Sequence, residues 1–231
     1  HKISAKAETI KVRESPPQAP VSIHFNPKTP PEIRLLISVF GSAFMFGGII
    51  GKWAFIPIIL IEWCLFLFFI YKYSDRESRT KWLQRPKGPF GWNLLALLIG
   101  FLPLPLFLMH YQALGNWNVW VPWILLALIN PWLEEYYWRG LLLEHSKKWS
   151  NWIAILFTSL VFALNHAVFG VNSELNKGMT IIVSTFIMGI VWALVFKKTS
   201  SLRWIVLAHF LVDFFNLSAA SFLDLYEKGN W

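Results

Sequence analysis

Apolar residues in this chain run in seven nearly unbroken stretches, approximately 34–50, 53–72, 90–110, 119–142, 152–170, 179–196 and 203–223. Most are long enough to cross a hydrocarbon layer of about 30 Å. Inside lipid only a helix or a closed barrel satisfies the backbone polar groups, and runs of this length mean helices. The pattern therefore predicts an all-α fold: a polytopic membrane helix bundle of about seven transmembrane helices. The Gly51–Lys52 interruption predicts a tight hairpin between the first two spans, and Pro103 and Pro105 predict a kink in the third. Residues 1–32, polar and rich in proline, have no apolar period and predict a flexible or surface-lying arm, with a partner-docking arm as the alternative. The chain opens at His1, as a processed form would, and no signal-peptide layout precedes the first span.

Composition agrees with a membrane protein. Of 231 residues, 55% are apolar and 15% are charged, where a soluble domain has about 25% charged. The 14 tryptophans suit interfacial belts. The net charge of +8 raises nucleic acid as a partner, but the basic residues form no single face, so none is expected. They report topology instead. Residues 1–34 carry six Lys or Arg, the 72–89 loop six, 139–148 three and 197–203 three; the opposite connections carry only Lys52, Lys177 and Lys228. This asymmetry predicts a cytoplasmic N-terminus and a multi-pass protein of the plasma membrane. Cys64 is the single cysteine; it excludes an intrachain disulfide, and its apolar surroundings argue against a thiol nucleophile.

Ionisable groups inside spans are costly, so each is a functional candidate. They are Glu62, His110, Glu134, Glu135, Arg139, His166, His209 and Asp213, most of them in three tight groups. In the first, Glu135 and Arg139 are four apart on one helix face and can pair. Glu134, about 100° away, aims elsewhere and could serve as a general base; the bland alternative is a charge cluster at a helix end. In the second, Phe162 and His166 share a face, although a lone histidine is more often a packing residue. In the third, His209, Asp213 and Asn216 form one stripe in which the carboxylate can orient the imidazole, or serve as an interhelical clamp. Together these residues have the parts for activating water in peptide hydrolysis. By rise per residue, His166 lies about 27 Å from Lys148 and His209 about 9 Å from Arg203. A tilt, a helix over about 141–151 or a broken fifth span would be needed to bring the two histidines level.

The His-Glu-x-x-His, Gly-x-Gly-Asp and Gly-x-Ser-x signatures of other intramembrane proteases are absent. Glu134-Glu135-x-x-x-Arg139, Phe162-x-x-x-His166 and His209-x-x-x-Asp213, in that order, resemble the three motifs of the CPBP family (CAAX proteases and bacteriocin-processing enzymes, also called Abi). The resemblance covers about 119–220. It divides the chain into an N-terminal arm (1–32), N-terminal transmembrane helices (33–118), a CPBP-like membrane core (119–223) and a short tail (224–231). It implies an intramembrane glutamate endopeptidase acting on a membrane-associated peptide or protein, lipidated or not. Carried over, Glu134 would activate water with help from His166. His209 and Asp213 would bind the carbonyl oxygen, with Glu135 and Arg139 in support. The third motif ends here in Asp213, and an ionised Asp cannot donate to an oxyanion; it is either protonated or orients His209. No cofactor is expected, and a catalytic zinc held by His and Glu is the alternative. A rival reading is a non-proteolytic scaffold or bacteriocin-immunity protein that binds a partner; another is a small proton-relay transporter, against which no inverted repeat is visible.

Overall fold

The computed structural model describes residues 31–226. The arm predicted over 1–32 lies outside them except for its last two residues, as does the tail after 226. Among the described residues every regular element is helical and none is a strand.

Helices α1 (Pro31–Ile50) and α2 (Phe55–Tyr73) form the expected hairpin through a 3-10 turn at Gly51–Ala54. Gly51 has φ of 58°, a left-handed conformation that a Cβ would penalise. Helix α3 (Arg76–Trp82) is capped by Asp75, which accepts the Ser78 N–H at 2.7 Å. The third stretch breaks where predicted: α4 (Gly91–Phe101) stops before Pro103, and α5 (Leu104–His110) restarts with Pro105 in its first turn. Helix α6 (Trp117–Glu135) runs directly into a π-helical segment, Tyr136–Leu142, then a single turn, α7 (Leu143–His145), and a 3-10 turn at Ser146–Lys148. Helix α8 (Asn151–His166), capped by Ser150, is followed by a 3-10 turn at Ala167–Val171. Helices α9 (Met179–Thr199), α10 (Arg203–Phe215) and α11 (Ser218–Phe222) complete the chain.

The helices close a ring. In spatial order α1 packs on α2, α2 on α6, α6 on α10, α10 on α4, α4 on α9, α9 on α8, and α8 back on α1. Helices of the first half thus enter the ring at two places, α1 with α2 between α8 and α6, and α4 between α10 and α9.

Four described segments are long and apolar enough to cross a membrane alone: Glu32–Tyr73, Gly91–Gly115, Asn151–Val171 and Met179–Thr199. The first contains both arms of the hairpin. Helix α10, at 13 residues, is about 20 Å long, so the stretch 203–223 is not one continuous spanning helix as expected. Leu217, at φ 51°, turns the chain between α10 and α11. Apolar composition continues straight through that turn, so hydropathy alone does not register it.

Candidate active site

Glu134 and Glu135 are the last two residues of α6, and their side chains leave the helix in different directions, as consecutive residues must. Glu135 is fully buried. Its Oε1 accepts from Arg139 Nη1 at 2.9 Å and lies 2.8 Å from His209 Nδ1. The predicted Glu135–Arg139 pair therefore forms, with His209 of α10 as a third member. Arg139 lies over the Phe162 ring at 4.2 Å and the Trp192 ring at 5.4 Å, so its charge rests between a carboxylate and two aromatic faces. The His209 ring packs against Trp192 at 4.9 Å and Phe162 at 6.3 Å. These contacts leave the imidazole little freedom to turn.

Glu134, 1% exposed, faces the interior of the ring. Its Oε1 accepts from Asn130 Nδ2 at 2.9 Å, and its Oε2 stands 4.0 Å from His166 Nε2. His166, half-buried at the end of α8, has Nδ1 2.9 Å from the Phe162 carbonyl oxygen. A carbonyl only accepts, so Nδ1 carries a proton, and in the neutral ring Nε2 presents a lone pair toward Glu134. Asp213 Oδ1 is 3.8 Å from His209 Nε2, and its Oδ2 accepts from Asn130 Nδ2 at 3.3 Å. The amide of Asn130 therefore joins Glu134 and Asp213, and its oxygen accepts from Trp63 Nε1 at 2.9 Å.

The two histidines that rise per residue sets far apart line the same cavity, and no break in the fifth span before His166 brings them there. Helix α8 is continuous to His166, and it is Phe162, one turn earlier, whose ring packs on His209. Adjacent glutamates meet the two rings, Glu134 reaching His166 and Glu135 reaching His209.

Glu134, His166, His209 and Asp213 line one cavity of about 560 Å³. Ile59, Ile99, Leu126 and Phe169 are among its apolar walls, while Leu102, Leu106, Ser184 and Ile187 are exposed at its rim. The cavity therefore opens on the side between α4–α5 and α9, with the lining residues Leu175 and Thr180 also exposed just before and at the start of α9. Asn216, predicted on the His209 stripe, also lines it. Among the described residues no three His, Cys, Asp or Glu side chains are disposed to hold a metal ion.

Sequence reasoning missed Asn130 and underused Glu62. Asn130 lies one turn before Glu134 beside Pro131, a buried amide in an apolar run, and that polar residue at i−4 was the available signal. His110, also an intraspan candidate, stacks on Tyr226 with ring centroids 4.6 Å apart and is not among the cavity residues.

No curated protein and no solved structure shows a significant match to the chain. Residues 116–215, which hold all three motifs, match the family model described as type II CAAX prenyl endopeptidase Rce1-like, so this segment is similar to that family.

Proposed function

We propose that the protein is an intramembrane endopeptidase that hydrolyses a peptide bond of a membrane-associated peptide or protein, with Glu134 activating the water. The observation that carries this reading is the 4.0 Å separation of Glu134 Oε2 and His166 Nε2. With His166 neutral both are acceptors facing one point, and among the described residues Oε2 has no hydrogen-bond partner. A water about 2.8 Å from each would subtend about 90° and donate one hydrogen to each acceptor. Its lone pair is then free to attack a carbonyl carbon.

As the carbon–oxygen bond forms, the water proton passes to Glu134, and the carbonyl π electrons move to oxygen. His209 is placed to receive that charge. Glu135, paired with Arg139, accepts the Nδ1 proton, so the Nε2 of an imidazolium points its N–H into the cavity beside Asp213. Collapse of the tetrahedral intermediate breaks the carbon–nitrogen bond, and the proton held by Glu134 goes to the departing amine. Asn130 holds Glu134 and Asp213 at a fixed spacing. The lateral opening supports a substrate that arrives within the bilayer. The charge asymmetry of the loops supports a cytoplasmic N-terminus in the plasma membrane.

Purified wild type and Glu134→Ala, incubated with a quenched peptide in detergent or vesicles, test the reading. Cleavage by wild type and its loss in the variant are expected. Tight peptide binding without cleavage by either would favour a scaffold.

A further inference from the structure

Glu62 lies on α2, outside the segment that matches the family model, and is fully buried. Its Oε1 accepts from the amide Nδ2 of Asn165, the residue before His166. Two further atoms of this pair, Glu62 Oε2 and Asn165 Oδ1, are buried without a hydrogen-bond partner among the described residues. Two lone acceptors on two groups already joined by one hydrogen bond are what remains when a proton is left out of the account. A proton on Oε2, donated to Oδ1, closes a two-bond acid–amide ring and satisfies both atoms. The surrounding charge agrees. Glu62 makes no ion pair with a Lys, Arg or His among the described residues, and the charges that act on it belong to the Glu134 and Asp213 carboxyls. Glu135, by contrast, has Arg139 and His209 against it.

We propose that Glu62 is a positioning residue of the hydrolytic site, a neutral carboxylic acid joined through two hydrogen bonds to the Asn165 amide, which fixes α8 so that His166 meets Glu134. The kinetic part rests on the endopeptidase reading; the protonation state does not. A hydrogen-bond ring at residue 165 sets the rotation of the adjacent residue about the helix axis, and an error of about 1 Å in a reacting group costs about 100-fold in rate.

Glu62→Gln separates a neutral pairing group from an ionised one, because a second amide forms the same two hydrogen bonds with Asn165. This variant is expected to keep kcat within about threefold of wild type. Glu62→Leu is expected to lower kcat about 100-fold with KM little changed. The double variant Glu62→Leu/Asn165→Leu, which leaves no lone buried acceptor, is expected to fold and to show the same low kcat. Infrared difference spectra of wild type against Glu62→Gln should show the carbonyl stretch of a protonated carboxylic acid in wild type alone. Loss of activity in Glu62→Gln equal to that in Glu62→Leu would overturn the proposal. So would a missing acid band, or a double variant as active as wild type. If wild type cleaves nothing, the endopeptidase reading fails, while the infrared band still decides the state of Glu62.

Discussion

His209 Nδ1 stands 2.8 Å from Glu135 Oε1, across an interface that joins residues 74 positions apart. The same oxygen takes Arg139 Nη1 at 2.9 Å, so one carboxylate neutralises a buried guanidinium and fixes an imidazole. The second motif residue of α6 is thus tied to the third motif on α10.

Removing that carboxylate leaves two buried donors without an acceptor. Glu135→Ala should destabilise the fold by about 3–5 kcal/mol, the usual cost of stranding a buried charge. Glu135→Gln, which keeps one acceptor oxygen, should cost less. Denaturation midpoints in detergent, compared with the cleavage rate of whatever remains folded, check both.

Glu134→Gln retains an oxygen for Asn130 but cannot take a proton from water. Its kcat should fall by about 10²- to 10⁴-fold with KM nearly unchanged. His166→Ala should also reduce kcat, and its effect should be much smaller on a Glu134→Gln background, because both act on one water. Steady-state kinetics of the two single variants and the double variant measure this.

Asp213 receives its one side-chain hydrogen bond from Asn130 and lies 3.8 Å from His209. An amide at this position offers an N–H to the carbonyl oxygen, so Asp213→Asn should remain active, whereas Asp213→Ala should lose about 10²-fold in kcat. An inactive Asp213→Asn would show that an ionised carboxylate is needed to hold His209.

Cleavage should survive excess chelator and dialysis without loss of rate, since the proposed water lies between two protein acceptors. A rate that falls with chelator and returns with zinc would replace that assignment.

Asp224 predicts how stability responds to acid. Burial raises its pKa, but the Ser173 hydroxyl, the Leu175 N–H, Lys52 and the Glu174 N–H outweigh burial, so the carboxyl is held below its ordinary value of 3.8. A lowered folded-state pKa gives stability that is present above the unfolded value and lost as pH falls through the folded one. The melting temperature should therefore drop between about pH 5 and about pH 3. Asp224→Asn, which tolerates the φ of 55° at this residue, should flatten that drop. Thermal unfolding across this range compares the two.

The three motifs were legible because charge inside an apolar run needs a reason, and helical spacing alone pairs Glu135 with Arg139 and sets Phe162 beneath His166. Their assembly was less legible. Nothing local tells Glu135 that His209 will arrive from α10, and rise per residue along separate helices does not show that His166 and His209 line one cavity. Asn130 and Asn165 carry no charge and so attracted no notice, yet each joins helices that are distant in the chain. The turn at Leu217 was invisible, because a buried leucine in a left-handed conformation has the hydropathy of any other leucine.

The entry of α1, α2 and α4 into the ring governs what could be cut away. A fragment limited to residues 116–215 would keep every motif but lose α1 and α2 on one side and α4 on another. It would expose the Glu134–His166 edge to acyl chains and leave Asn165 facing a missing neighbour. The amino-terminal half thus supplies part of the cavity wall through Ile59, Ile99, Leu102 and Leu106, and a chain trimmed to its recognisable part would leave that side open.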